Sequence, residues 1–266
     1  MAISRDAVDY LEPRPGMPFD RLGILHQAMQ ALAGASHLAP VHHPSRIVDV
    51  GSGLHHWVRE ISTEFPAALT VAAGTDSPAD GHPPPGVVAV RADLWRGLPF
   101  AGGVFEYVHH RAIPFVVREE VRARLVDELL RVLAPGAWIE IVLTEPVIEP
   151  LTPATELLLR QVRQLLDLSA DPGAAPEPLA HLLRRRGLVD VDGRRLALPV
   201  GAWGGEVGTA MVSNFRAVMG GVASALESRL GIPSLDTLAL VARCTEEIEE
   251  HRTVAPLWFV WGRRGR

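Results

Sequence analysis

Three short stretches of the sequence carry the side chains best suited to chemistry. The first is Gly51-Ser52-Gly53, followed by His55 and His56. The second is a pair of separated acids, Asp76 in "GTDSP" and Asp93 in "VRADLW". The third is His109-His110-Arg111. Glycines in the first stretch let the backbone approach a ligand and offer it N–H groups. A carboxylate at Asp76 suits two vicinal ribose hydroxyls, and one at Asp93 can accept from an exocyclic adenine amine. A histidine titrates near neutral pH and can take a proton from an acceptor group. Imidazoles also bind zinc, iron and nickel, but adjacent histidines cannot easily share one ion and nothing fixes a ligand spacing, so no metal is expected.

These stretches act together only if the fold brings them to one edge. From Arg46 to Leu143 short apolar runs alternate with helical patterns. "RIVDV" (46–50), "LTVAA" (69–73), "VVAV" (87–90), "FEYVH" (105–109) and "AWIEIVL" (137–143) are too apolar for half-exposed strands and predict a sheet covered on both faces. Val121, Leu125, Leu129 and Val132 recur at helical spacing, and Pro135-Gly136 is expected to stop that helix. The alternation implies right-handed βαβ units in an α/β, doubly wound, mostly parallel sheet, whose ligands sit beyond the carboxyl ends of the strands. All three chemical stretches follow such ends.

After Leu143 the pattern turns helical, through 154–168 and 178–187, then gives a strand over 189–198. Two long helices follow, the second starting after "GIPS" with Ser234 as the expected N-cap, and "LWFVWG" (257–262) is a last strand. The expected organisation is an N-terminal segment over residues 1–45 covering the pocket, a core over 46–200 and 253–266, and a helical lid over 201–252.

Composition removes several function classes. Every one of the 26 basic residues is arginine, which excludes Schiff-base chemistry and a phosphate-loop lysine. Cys244 is the single cysteine, so neither an internal disulfide nor a thiolate cluster can form, and packing is its expected role. A net charge of -5 gives no general attraction to nucleic acid or anionic lipid. With neither a basic-then-apolar start nor some 18 uninterrupted apolar residues, a cytoplasmic location is expected.

Taken together, "VDVGSG" (48–53), the two acids, "LPFAGGVFEYVHHR" (98–111) and "ELLRVLAPGAWIEI" (128–141) resemble the motifs of class I S-adenosylmethionine-dependent methyltransferases. Further segments, "DRLGILHQAMQ" (20–30), "LAPVHHPSRIVDVG" (38–51), "LPVGAWGGEVG" (198–208) and "HRTVAPLWFVWGRR" (251–264), resemble the TAM-domain, LaeA-like group of fungal regulators and natural-product methyltransferases. The resemblance implies a seven-stranded sheet with an antiparallel final strand and a helical lid over the substrate. It also implies S-adenosyl-L-methionine as cofactor, held by Asp49, Gly51, Ser52 and Gly53 after strand one, by Asp76 and Ser77 after strand two, and by Asp93, Leu94 and His109 beyond these.

Methyl transfer to an oxygen or nitrogen of a small natural product needs a positioned acceptor and a proton sink. His110 is the expected base and Arg111 the group that orients an anion or carbonyl. Glu145, His26, His251, Trp95 and Trp203 are further pocket candidates, each with packing or solvation as its plainer role. The sequence departs from the family at His55, where a third glycine is usual. That departure keeps two alternatives open: a cyclase or isomerase built on the same fold, or a non-catalytic regulatory partner. A homodimer or protein partner through the lid helices is the expected mode of assembly.

Overall fold

The computed structural model describes residues 21–51, 55–74, 83–111, 119–144, 148–165 and 178–266. Seven strands form one sheet: β1 (Arg46–Val50), β2 (Leu69–Gly74), β3 (Val87–Arg91), β4 (Phe105–Arg111), β5 (Leu133–Thr144), β6 (Leu188–Pro199) and β7 (Val254–Arg264), in the order β3-β2-β1-β4-β5-β7-β6. The first five pair in parallel; β7 lies antiparallel to β5 and β6 antiparallel to β7. The order reverses between β1 and β4, so the crevice of a doubly wound sheet opens at their carboxyl ends.

Strand periodicity assigns each residue to a face. Ile47 of β1, Ala72 of β2 and Tyr107 of β4 pack with Trp57, Val58 and Ile61 of helix α2 (His56–Glu64). Their alternates Val48, Val50, Val108, Ile139 and Ile141 pack on the opposite face, with Leu125, Val126 and Leu129 of α3 (Glu119–Val132) and Leu182 and Leu183 of α5 (Leu179–Arg185). Both faces are covered, which is why the parallel strands read as continuous apolar runs.

Helix α3 ends three residues before the expected Pro135-Gly136 stop. The loop leading into β4 captures its last carbonyls, Gly103 N–H donating to Arg131 O at 2.9 Å and Val104 N–H to Val132 O at 2.9 Å, and Leu133 already pairs with Phe105. Sheet pairing here replaces the helical ladder and carries Pro135 and Gly136 into β5.

The remaining helices form a second layer. Helix α1 (Arg21–Ala33), α6 (Gly205–Leu230) and α7 (Ser234–Glu250) share a core with β5 and β7, built on Ala28, Met29, Val142, Met211, Ile248 and Phe259. Helix α4 (Pro153–Leu165) joins them, Leu158 packing against Leu240, Val241 and Cys244. The layer expected from two helices therefore contains α4 as well. Gly208 explains part of "GAWGGEVG": a Cβ there would lie 2.1 Å from the Gly201 carbonyl, so only glycine lets α6 start against that loop. Ser234 is not the cap of α7. Pro233 holds that position, and the Ser234 hydroxyl instead donates to Glu227 at 2.5 Å.

Among the described residues no helix is long and apolar enough to cross a membrane.

Candidate active site

The first chemical stretch turns sharply at Gly51, whose φ of 77° lies in the left-handed region that favours glycine. Its N–H donates to Ala73 O at 2.7 Å, so Gly51 supplies the turn rather than a free donor. Ser52 and Gly53 lie outside the described residues. Where the resemblance calls for a third glycine, His55 keeps the left-handed backbone (φ 65°, ψ 19°) and begins α2. Imidazole-bearing residues tolerate this conformation better than branched ones, at a cost of about 1 to 2 kcal/mol. The His55 side chain is buried, at 3 % exposed.

Adjacent strand residues point to opposite faces, and this divides the third stretch. His110 turns beneath the glycine turn: its Nδ1 lies 2.6 Å from Val50 O, and a Cβ on Gly51 would meet its ring at 3.4 Å. Burial holds its pKa below the usual histidine value. His109 and Arg111 turn to the other face, with Asp49 and Glu140. The expectation that His110 and Arg111 work side by side is therefore not met by their placement.

On that second face, register sets Asp49 of β1, His109 of β4 and Glu140 of β5 in one row. His109 Nδ1 is 2.7 Å from Asp49 Oδ1, with both side chains 1 % exposed. The Trp57 indole stacks flat on the imidazole, with centroids 3.7 Å apart at 4°. The indole is fixed in turn by Nε1–H donating to Ser36 O at 2.8 Å. Burial, the largest influence, lowers the His109 pKa to about 4 although the Asp49 carboxylate opposes it. The ring is therefore neutral, its Nδ1–H donates to Asp49, and Nε2 keeps the lone pair. Asp49, expected to hold a cofactor, has its Oδ1 against His109.

Arg111 closes this face toward helix α1. One N–H of its guanidinium donates to His26 Nδ1 at 2.8 Å. That bond places the imidazole proton on Nε2, which faces Glu60 Oε1 at 3.0 Å. Burial first, and the Arg111 charge second, hold His26 below the usual histidine pKa. Gln30 donates its amide to the other Glu60 oxygen, and His56 stacks on His26 with ring centroids 5.7 Å apart. A narrow cleft, open to solvent, lies here between α1 and the sheet; His26, Gln30, Trp57, His109 and Arg111 line it with apolar Met29, Val142 and Phe259.

Asp93 follows β3 at the carboxyl edge, where its Oδ1 accepts the Trp95 N–H at 3.0 Å and Arg96 lies 3.5 Å from Oδ2. Leu94, beside it, is half-buried against the core. Asp76, Ser77 and Glu145 lie outside the described residues. Trp95 and Trp203 are partly exposed, at 37 % and 38 %, and the Trp203 indole donates to Val200 O. His251 is exposed at the end of α7, away from the cleft. Among the described residues no group of three His, Cys, Asp or Glu side chains is placed to hold a metal ion.

An adenosyl cofactor fits this edge where it is described. The left-handed Gly51 turn and the Asp93 carboxylate stand beyond the crevice between reversed strands, and His55 adopts a left-handed backbone. Sequence reasoning missed Glu60, Gln30 and Glu140. Only Glu140 carried a signal, as a lone acid inside an apolar strand.

No family model matches the chain. It is 25% identical to the N-methyltransferase verN of Clonostachys rogersoniana over 92% of this chain and 89% of that protein. It is also 25% identical to the N-methyltransferase tcpN of Claviceps purpurea, over 92% and 93% respectively. Among solved structures it superposes on phosphoethanolamine N-methyltransferase 2 of Haemonchus contortus, determined with phosphomonomethylethanolamine and S-adenosylhomocysteine. That match has a TM-score of 0.53 at 14% identity and covers 98% of this chain but 61% of that one. The strand order, the antiparallel last strand and these matches together give the chain the Rossmann-like fold of class I methyltransferases.

Proposed function

We propose that this chain is an S-adenosylmethionine-dependent methyltransferase that methylates a nitrogen of a small natural product in secondary metabolism. The observation that carries this reading is the pair of N-methyltransferase relatives, each matched along nine-tenths of the chain. The segments shared with the TAM-domain group support placing it in that branch. The cofactor supplies an electrophilic methyl on a sulfonium. In this reading Gly51 and Asp93, with Ser52, Gly53, Leu94, Asp76 and Ser77, hold it along the carboxyl edge.

The chain's own residues position the acceptor and take its proton. His109 is better placed for the proton than His110, because it lines the cleft with a neutral ring and its Nδ1–H fixed on Asp49. His110 holds the glycine turn by its bond to Val50. Trp57 keeps the His109 imidazole in one plane, and Arg111 orients the acceptor. Helices α6 and α7 pack on Met29, Val142 and Phe259 behind the apolar part of the cleft wall.

The pH profile follows from the sign of the shift. A base held at about 4 is unprotonated throughout the neutral range, so kcat/KM stays flat from pH 8 down to 6 and declines only in more acid solution. A decline centred near the ordinary histidine value of 6.5 would assign the proton to another group.

The reaction is tested by incubating the chain with S-adenosylmethionine labelled with ¹³C on the methyl and a small-molecule extract of the producing cells. The expected result is a labelled methyl in the chemical-shift range of N–CH₃. Label on oxygen or carbon would refute the nitrogen assignment. Absence of transfer by a folded sample that binds the cofactor would refute methyl transfer itself.

A further inference from the structure

Arg111, which orients the acceptor in the reading above, has more donors than its described contacts use. A guanidinium offers five N–H donors in a rigid fork, and among the described residues one bond, to His26 Nδ1, engages it. Among the described residues no carboxylate lies within ion-pair distance of it. The Asp49 carboxylate, and after it Glu60, stabilise its charge from beyond ion-pair distance. A half-buried cation is costly without a partner. Among the described residues its neighbours fix it in place without a direct ion pair: His26 holds one edge, Glu60 faces His26, Gln30 holds Glu60, and His56 stacks against the His26 ring. Met29, Val142 and Phe259 give the cleft wall an apolar part.

We infer that Arg111, braced by His26 and Glu60, is a carboxylate seat in the cleft between α1 and the sheet. A carboxylate matches the guanidinium fork in two parallel N–H···O bonds, and the apolar wall accepts the carbon body attached to it. The inference rests on the methyl-transfer reading for its two sources of such a group: the methionyl tail of the cofactor and the acceptor itself.

Two pairs of probes separate these sources by titration calorimetry, on the wild-type chain and on Arg111→Met. One pair is S-adenosylhomocysteine and its decarboxylated analogue; the other is benzoate and benzamide. The wild type should favour the carboxylate member of at least one pair by about tenfold or more, and Arg111→Met should erase that preference. A preference confined to the first pair assigns the seat to the cofactor, and one confined to the second assigns it to the acceptor. Circular dichroism checks that the variant is folded. If it is not, Arg111→Lys, which keeps the charge but loses the fork, should reduce the preference severalfold. Equal binding within both pairs by the wild type, or a preference that survives in a folded variant, overturns the seat. If S-adenosylhomocysteine does not bind at all, methyl transfer fails while the benzoate pair still decides the fate of Arg111.

Discussion

Glu140→Gln should gain stability relative to the wild type as pH rises, by about 3 kcal/mol between pH 5 and pH 8. Glu140 stands in the middle of β5 with no exposed surface. Burial pushes its carboxyl up to about 7 from an ordinary 4.5, against the pull of the Ala39 and Leu38 N–H groups that donate to Oε2 at 2.5 and 2.8 Å. A group whose folded value is raised favours folding most below its unfolded value. That contribution is lost as pH climbs through 7. Glutamine keeps an acceptor oxygen for both N–H groups and carries no charge at any pH. Its buried amide is underpaired, as the protonated Glu140 Oε1 is, so this cost is similar in both chains at low pH. Urea unfolding at a series of pH values reads the difference, and parallel curves for the two chains would contradict it.

His109→Ala is expected to be the more damaging change, costing about 3 to 5 kcal/mol at neutral pH. It strips the imidazole N–H from a carboxylate that is 1 % exposed and leaves the Trp57 indole without the ring stacked on it. The pH dependence changes as well, with the opposite sign to Glu140. The wild-type imidazole stays neutral down to about 4, whereas in the unfolded chain it protonates near 6.5, so acid costs the wild type stability across that window. The alanine variant lacks this loss, and its stability should fall less between pH 6.5 and 4. Equal stability of the two proteins at pH 7.5 would show that the Asp49–His109–Trp57 stack is not the support described here.

Much of the scaffold was legible because burial on both sheet faces writes itself into runs of apolar residues. β1 falls at its expected residues 46–50, and the other strands overlap theirs with ends one to four residues longer. The helix that ends at Val132 rather than Pro135 was not, because the bonds that end it come from the loop before β4. Within the site, the strand period alone separates His110 from His109 and Arg111. The partner of Arg111 was not readable at all: His26 lies 85 residues earlier, on a helix with its own apolar pattern. Glu140 illustrates the middle case. Its charge inside "AWIEIVL" signals a buried acid, but the backbone donors that receive it, Leu38 and Ala39, come from a connection with no regular pattern.

The claim on which the account turns is that the Gly51 turn and the Asp93 rim, with His55 in place of a glycine, still hold an adenosyl cofactor. Calorimetric titration of S-adenosylhomocysteine into the folded chain tests it most directly. Saturable one-to-one binding in the micromolar range, lost in Asp93→Ala, is the predicted result; no heat beyond dilution from a folded wild-type sample would contradict it.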